Sequence, residues 1–299
     1  MCGIVGLFLK NPEFQPRLGY MTSRMLRVMT ERGPDSAGFA VYGSAPSGHV
    51  KLTLRGVADI DLSALALQLL GVLGGDVEFA RHDDHAVLAI PAATEGAVRA
   101  LLATLAPGAV VASSGHAIEL YKGVGLPEDV AGRIGLSGMG GTHAIGHTRM
   151  ATESAVTVAG AHPFSTGTDQ CLVHNGSLSN HNALRRMLVR EGQTFDTEND
   201  SEVAAGYLSW RMAQGARLDE ALGAALSDLD GFYTFVVGTR SGFAVLRDPV
   251  ACKPAVMAET DDYVAFASEY RAFAELPGID TATVFEPEPQ RVYYWEHQA

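Results

Sequence analysis

The chain has 299 residues, of which 47% are hydrophobic and 19% are charged, and its net charge is −12. This size allows one large domain or two smaller ones, and the acidic balance without a Lys- or Arg-rich block argues against a nucleic-acid-binding function. Three cysteines at spacings unlike those of metal sites indicate a reducing compartment and argue against a disulfide framework.

The amino-terminal stretch Met1–Phe8 contains a cysteine directly after the initiator methionine. Removal of Met1 would give Cys2 both a thiol and a free α-amine, whose ordinary pKa values are about 8.5 and about 8. That combination places a nucleophile and a proton acceptor on one residue. The apolar run Ile4–Phe8 predicts a buried strand. The simpler interpretation is a strand in which Cys2 is an ordinary core residue.

The start of the chain has no basic n-region, and Lys10, Asn11 and Pro12 interrupt its apolar run, so it does not resemble a signal peptide. The apolar stretch 62–73 is too short to span a bilayer. We therefore expect a soluble, cytoplasmic protein.

Helical spacing of apolar residues predicts a helix over 18–30, followed by the turn segment 32–38 and a strand over 39–42. The turn segment has ordinary Gly-Pro chemistry. Its functional alternative is that Arg32 and Asp35 lie close to the amino terminus.

A linker-like run over 43–48 introduces a segment with its own pattern of elements. Strands over 50–54, 77–81, 86–90 and 109–112 and helices over 61–70 and 94–105 give the order β-α-β-β-α-β, which is the ferredoxin-like arrangement. We therefore expect an inserted α/β module at about 47–116. The sequence His82-Asp83-Asp84-His85 at its hairpin tip could hold a metal, but solvated turn residues are the better interpretation.

The remaining chain carries further polar segments among the predicted elements. A strand is expected over 118–121, helices over 127–134, 202–214 and 218–226, and strands over 232–238, 242–246, around 256, 263–266 and 292–295. Singly, each polar segment has an ordinary explanation: a surface ion pair for Arg149, a turn for His162-Pro163, a hairpin turn for Asn175-Gly176 and a helix cap for Asn199-Asp200-Ser201. Cys171 and Cys252 are expected to be small buried hydrophobic residues.

Taken together and in this order, the segments resemble the class-II glutamine amidotransferases of the N-terminal-nucleophile (Ntn) hydrolase superfamily. The matching segments are Met1–Ile4, Arg32–Gly38, Gly146–Arg149, Ala161–Pro163, His174–Gly176, Asp200–Glu202, Arg247–Pro249, Lys253-Pro254 and Ala267–Glu269. The resemblance covers residues 1–43 and about 117–299, one domain interrupted by the module. It implies an α+β fold, the four-layer αββα Ntn-hydrolase sandwich, here with the ferredoxin-like module inserted.

The resemblance also implies a role for each matching residue in the hydrolysis of glutamine to glutamate and ammonia. Cys2 would form a γ-glutamyl thioester while its α-amine shuttles the proton. The remaining catalytic positions are the oxyanion-hole residues Asn175 and Gly176 and the supporting Arg32. The substrate-binding positions are Arg149 for the α-carboxylate, with Thr152 and His162 assisting it, and Asp200 for the α-ammonium. Glu153 stands where some relatives have His or Gly.

The destination of the ammonia is the remaining question, because the sequence contains no Gly-x-x-x-x-Gly-Lys-Ser/Thr phosphate loop and no acceptor-domain motif. We expect a separate synthase subunit, and hence a hetero-oligomer. The chain resembles the amidotransferase subunit of N-methylglutamate synthase and glutamate-synthase-like proteins. In that group the synthase partner carries FMN and iron–sulfur centres, whereas the amidotransferase subunit has no cofactor and no metal.

Two alternatives stay open. One is a stand-alone hydrolase of γ-glutamyl amides, for which glutamine itself would be a poor substrate. The other is a non-catalytic regulatory subunit that retains Met1. The inserted module is a candidate docking or regulatory surface, and a purely structural role is equally compatible with the sequence.

Overall fold

Buried apolar runs form most of the strands in the computed structural model, which describes residues 2–73, 77–151 and 156–297. In chain order the strands are β1 (Gly3–Leu9), β2 (Ser36–Tyr42), β3 (His49–Arg55), β4 (Glu78–His82), β5 (His85–Pro91), β6 (Val110–Gly115), β7 (Ile118–Val124), β8 (His143–Arg149), β9 (Phe164–Gly167), β10 (Gln170–Leu178), β11 (Gly231–Gly238), β12 (Gly242–Arg247), β13 (Val256–Glu259), β14 (Tyr263–Ala267), β15 (Thr283–Phe285) and β16 (Val292–Glu296). The α-helices are α1 (Leu18–Val28), α2 (Leu62–Leu73), α3 (Glu95–Leu105), α4 (Pro127–Ile134), α5 (His181–Arg190), α6 (Asp200–Ala213) and α7 (Leu218–Asp228).

Two antiparallel sheets form the centre of the fold. One has seven strands in the order β15-β13-β14-β1-β8-β2-β7, and the other has five in the order β16-β12-β11-β10-β9. Their facing sides bury a common apolar core, in which Ile4 and Ile145 of the first sheet lie with Val173, Val236 and Val245 of the second. Burial of each such side chain contributes roughly 1.5–3 kcal/mol to the stability of the fold. The amino-terminal strand β1 is completely buried between β8 and β14.

Helices cover the outer faces of both sheets. Met21 and Met25 of α1 and Val130 of α4 belong to the core of the seven-stranded sheet, while α5, α6 and α7 share an apolar core with the five-stranded sheet. The layers are therefore helix, sheet, sheet and helix, and the predicted αββα sandwich is confirmed. No described helix is long and apolar enough to cross a membrane.

Residues 49–115 form a third sheet with the strand order β4-β5-β3-β6, in which all pairs are antiparallel. Helices α2 and α3 contribute Leu65, Leu69, Val98 and Leu102 to a core shared with this sheet. The chain order and the strand order are those of the ferredoxin-like arrangement that the sequence predicts. We call this segment the module.

The hairpin tip of the module differs from the expected solvated turn. His85 is buried, and its Nε2 accepts a hydrogen bond from the Lys122 backbone N–H at 3.2 Å. Burial lowers the pKa of His85 to about 4. His82 lies 3.1 Å from the Ile134 carbonyl through Nδ1, so both histidines contact the part of the chain built around the two central sheets. The expectation of a solvated tip was wrong for His85, because the hairpin packs against β7 and the end of α4, whereas Asp83 is exposed in the turn as expected.

The return from the module to the core is held by Asp169, in the turn between β9 and β10. Its buried carboxylate accepts hydrogen bonds from the backbone N–H groups of His116 at 2.8 Å, Ala117 at 2.7 Å and Ile118 at 3.1 Å. These three donors come at the point where β6 ends and β7 begins, and Asp169 therefore fixes the geometry of that junction.

Two local expectations were wrong. Asn175 and Gly176 lie within the continuous strand β10, paired with Thr234 and Tyr233 of β11, and do not form a hairpin turn. Cys252 is exposed in the irregular segment between β12 and β13, where the chain has left both sheets, whereas Cys171 is buried as expected.

Candidate active site

Two side chains hold the backbone of Cys2, which directly precedes the first residue of β1. Nε of Arg32 donates to the Cys2 carbonyl at 3.0 Å, and Nδ2 of Asn175 donates to the same oxygen at 3.2 Å. Two residues further along, the Ile4 N–H donates to the Ser268 hydroxyl at 2.9 Å. Three separate parts of the chain thus converge on the amino terminus.

Arg32 occupies the position that the sequence suggested, close to the amino terminus. Its Nη1 forms a salt bridge with Glu269 at 2.8 Å, which orients the guanidinium while Nε holds Cys2. Gly33 lets this turn approach β8, because a Cβ there would lie 2.4 Å from the Thr148 carbonyl carbon. Asp35 also joins the site, since its carboxylate accepts a hydrogen bond from the Ala151 N–H at 2.8 Å.

The Cys2 thiol is partly buried, and its sulfur lies 3.9 Å from the Met150 carbonyl oxygen. Burial raises the pKa of this thiol, but the hydrogen bond and positive charge of His147 and the contact with Met150 lower it, and the result is a pKa of about 7. A thiol with this pKa is about half ionised at neutral pH, and the thiolate is the nucleophilic form.

Asn175 and Gly176 present a side-chain amide and a backbone N–H from adjacent positions of β10. Asn175 is buried, and its Oδ1 accepts a hydrogen bond from His147 Nε2 at 3.1 Å. Gly176 has φ of 151°, and a Cβ there would lie 2.0 Å from the Phe232 carbonyl oxygen. Only glycine fits this conformation and this approach.

A cavity of about 600 Å³ has Arg149 and Asp200 in its wall. Arg149 is buried at the end of β8, directly before Met150, whose carbonyl contacts the Cys2 sulfur. Asp200 begins α6, and its Oδ2 accepts a hydrogen bond from the Leu178 N–H at 2.9 Å. The described wall of the cavity contains the guanidinium of Arg149 and three carboxylates, those of Asp196, Glu198 and Asp200. Arg149 is one residue from the contact with the thiol.

The cap interpretation of Asn199 is also correct, since its side chain accepts a hydrogen bond from the Ser201 N–H at 2.9 Å. The helix cap and the cavity wall are thus formed by neighbouring residues. The cap fixes the first turn of α6, and that turn positions the Asp200 carboxylate.

His162 lies behind the cavity and is not among the residues of its wall. It is buried, and its Nε2 is 2.8 Å from the Ser201 hydroxyl. Its ring lies against that of His147, with centroids 4.1 Å apart and planes tilted by 31°. The same hydroxyl is 2.9 Å from Nδ1 of His174. Burial, followed by the charge of His147, holds the pKa of His162 well below its usual value. Its assistance to substrate binding stays a prediction.

The structure adds five residues to those named from the sequence. They are His147, His174, Ser201, Ser268 and Glu269. Each stands inside one of the matching sequence segments, so its segment was recognised while its role was not. Thr152, the other predicted assistant of Arg149, and Glu153 lie outside the described residues. Within the described ranges, no group of three or more His, Cys, Asp or Glu side chains is arranged to hold a metal ion.

Comparisons with known proteins identify the family to which the chain belongs. A family model described as "Glutamine amidotransferase domain" matches residues 147–275. The chain is 60% identical over 299 residues to "Glutamine amidotransferase-like protein GlxB" of Rhizobium meliloti (strain 1021), covering 100% of this chain and 99% of that protein. It is 34% identical over 307 residues to a "Putative glutamine amidotransferase" of Methanothermobacter thermautotrophicus, covering 99% of this chain and 100% of that protein.

Among solved structures, the glutamine phosphoribosylpyrophosphate amidotransferase from B. subtilis matches with a TM-score of 0.63 at 21% sequence identity. The match covers 99% of this chain and 47% of that chain. At this level of identity the likeness concerns the fold, and it includes the two-sheet sandwich described above.

Proposed function

This chain belongs to the class-II glutamine amidotransferases, which hydrolyse the side-chain amide of glutamine, and we propose that it is the glutaminase subunit of a two-subunit enzyme. The observation that carries the proposal is the position of the Cys2 thiol. It contacts Met150, next to a cavity in which Arg149 and Asp200 supply the two charges that free glutamine requires.

The cavity charges match the α-groups of the substrate. The α-carboxylate of glutamine would pair with Arg149, whose planar guanidinium suits two parallel hydrogen bonds. The α-ammonium would pair with Asp200. Glutamine bound between these residues would direct its side-chain amide towards Cys2, and Thr152 and His162 are the proposed assistants of Arg149.

The chemistry begins with the attack of the Cys2 sulfur, after removal of Met1, on the amide carbon. The carbonyl oxygen gains negative charge and needs donors that are already in place. Nδ2 of Asn175 has two hydrogens. One holds the Cys2 carbonyl, and the other reaches only the Ser268 hydroxyl at 3.4 Å, which is a weak contact. That second hydrogen and the Gly176 N–H are the proposed oxyanion hole. Ammonia leaves, and water then hydrolyses the γ-glutamyl thioester.

We further propose that the ammonia passes to a separate synthase subunit of the N-methylglutamate synthase or glutamate synthase type, which would carry FMN and iron–sulfur centres. Support comes from the sequence, which includes no Gly-x-x-x-x-Gly-Lys-Ser/Thr phosphate loop and no recognised acceptor-domain motif. A cytoplasmic location is part of this proposal, and the free state of Cys2, Cys171 and Cys252 is compatible with a reducing compartment.

The test is glutamate release from glutamine by the Met1-processed protein, with and without co-purified partners, beside a Cys2→Ala variant. We expect release that the substitution abolishes and that a partner increases. Release that survives the substitution would refute the role of Cys2. Faster hydrolysis of a larger γ-glutamyl amide than of glutamine would refute the subunit role in favour of a stand-alone hydrolase.

A further inference from the structure

A segment without regular secondary structure forms one side of the cavity that contains Arg149 and Asp200. Residues 196–199 lie between α5 and α6, belong to no helix or strand, and are all part of the cavity wall, directly before Asp200. We call these four residues the wall segment. Because the wall segment has no helix or sheet hydrogen bonds of its own, its backbone N–H and C=O groups need partners from elsewhere in the chain.

Glu202 binds N–H groups of the wall segment. This residue is buried in the first turn of α6, and its carboxylate faces back towards the segment. Oε1 accepts a hydrogen bond from the Asp196 N–H at 2.8 Å. Oε2 accepts one from the Thr197 N–H at 2.8 Å and another from the Thr197 hydroxyl at 2.6 Å. These are charge-assisted hydrogen bonds, which are roughly twice as strong as neutral ones.

Arg185 of α5 binds C=O groups of the same segment. Its Nη1 donates to the Thr197 carbonyl at 2.6 Å, and its Nη2 donates to the Asn199 carbonyl at 3.3 Å. The guanidinium lies over the Phe195 ring, 5.0 Å from the ring centroid, and this cation–π contact helps to hold it in place. Its Nε is 3.9 Å from Glu198, but the side chain of Glu198 is 94% exposed, so this ion pair contributes little. The two carbonyl contacts are therefore the main interactions of the Arg185 head group.

Thr197 is the residue on which both side chains act. Glu202 binds its N–H and hydroxyl, and Arg185 binds its carbonyl. The same hydroxyl oxygen accepts a hydrogen bond from the Asn199 N–H at 3.1 Å, and the Asn199 side chain caps α6. The contacts thus continue from the two helices through the wall segment to Asp200, the first residue of α6.

We propose that Glu202 and Arg185 are positioning residues for glutamine binding, which fix the wall segment and with it the Asp200 carboxylate that receives the α-ammonium. This inference rests on the proposed function, in which glutamine binds in this cavity. A wall segment that is loose in the free protein must be ordered when glutamine binds, and that loss of conformational entropy weakens binding. Arg32 and Asn175 hold the nucleophile separately, so the chemistry after binding should change little.

The experiment compares KM and kcat for glutamate release in the processed protein, in Glu202→Gln and in Arg185→Lys, with thermal unfolding measured on the same samples. In Glu202→Gln the new amide NH₂ group meets donors of the wall segment. Arg185→Lys keeps the positive charge but loses the planar fork that reaches two carbonyls, so its effect reports lost geometry and not lost charge. We expect KM to rise roughly 10- to 100-fold in Glu202→Gln and roughly 3- to 10-fold in Arg185→Lys, with kcat within about threefold of the parent value.

The matched controls change the same residue types without touching the wall segment. Glu220→Gln replaces a glutamate in the first turn of α7, whose Oε2 accepts a hydrogen bond from the Arg217 N–H at 2.9 Å. Arg186→Lys replaces the exposed neighbour of Arg185 on α5. Both controls should keep KM and kcat within about twofold. A KM within about twofold of the parent value in folded Glu202→Gln, or a fall of kcat without a rise of KM, would overturn the proposal.

Hydrogen exchange followed by NMR tests the wall segment without using catalysis. We expect the amides of Asp196 and Thr197 to be protected in the parent protein and to exchange about tenfold faster or more in Glu202→Gln, with no change in Glu220→Gln. Equal exchange in the parent protein and in Glu202→Gln would refute the role of Glu202. If the parent protein released no glutamate while these amides stayed protected, the proposed function would fail instead.

Discussion

Substitution of Asn175 by alanine tests the centre of the proposed site. The change removes the hydrogen proposed to stabilise the oxyanion, which is worth about 3 kcal/mol, or a 10²–10³-fold loss of kcat. It also removes the hydrogen bonds of Asn175 with the Cys2 carbonyl and with Nε2 of His147. Arg32 still donates to the Cys2 carbonyl at 3.0 Å, so the start of β1 keeps an anchor. We therefore expect a folded protein with a low kcat and a nearly unchanged KM for glutamine, because the lost interaction acts mainly in the transition state.

The assay is steady-state glutamate release, with thermal unfolding measured on the same samples. Asn180→Ala is the matched control, because Nδ2 of Asn180 donates to the Asp228 carbonyl at 2.8 Å and its Oδ1 accepts from the Asp230 N–H at 3.1 Å. It loses two hydrogen bonds away from the cavity, and its kcat should stay within about twofold of the parent value. If Asn175→Ala also kept its kcat within about twofold while Cys2→Ala was inactive, the assignment of the oxyanion hole would be refuted.

Three further changes test the framework around the site. Asp169→Ala leaves two buried N–H groups, of Ala117 and Ile118, and the partly buried one of His116 without their acceptor. At about 1–3 kcal/mol for each buried group, the free energy of unfolding should fall by several kcal/mol in urea titrations, and a loss below about 1 kcal/mol would contradict this account. Gly176→Ala should give little folded protein or an inactive one, because the new methyl group meets a backbone oxygen at 2.0 Å; wild-type activity in glutamate release would show that β10 can move. When the native protein is treated with iodoacetamide and labelling is followed by mass spectrometry, the exposed Cys252 should react. Cys171 should not react, because it is buried and burial raises the pKa of its thiol to about 12. Rapid labelling of Cys171 would refute its burial.

Periodicity and turn chemistry predicted most of the elements because the apolar residues follow the helical or strand repeat. The helix that begins at Leu18 and the four strands of the module are examples. Strand β10 was harder to predict, since Asn175-Gly176 is a common hairpin pair and only its pairing with β11 keeps the chain extended. Exposure of Cys252 likewise depends on where the chain leaves the sheet, which its local sequence does not specify.

The site residues were named from matching segments, but their mutual arrangement depends on contacts between distant parts of the chain. Glu269 orients Arg32 across 237 positions of sequence, and Asn175 reaches the Cys2 carbonyl across 173. Periodicity describes neighbours a few residues apart, so it cannot show such pairs. This is why the contact between His147 and Asn175 was not recognised, although both residues stand in matching segments.

The buried histidines form one connected wall beside the nucleophile. The rings of His147 and His162 lie 4.1 Å apart with their planes tilted by 31°, and the Ser201 hydroxyl links His162 to His174. Burial holds the pKa of His162 well below its usual value and lowers that of His174 to about 4, so both rings are neutral at pH 7. Neutral side chains held by hydrogen bonds and ring contacts therefore support the site from behind, next to the cavity that contains Arg149 and Asp200.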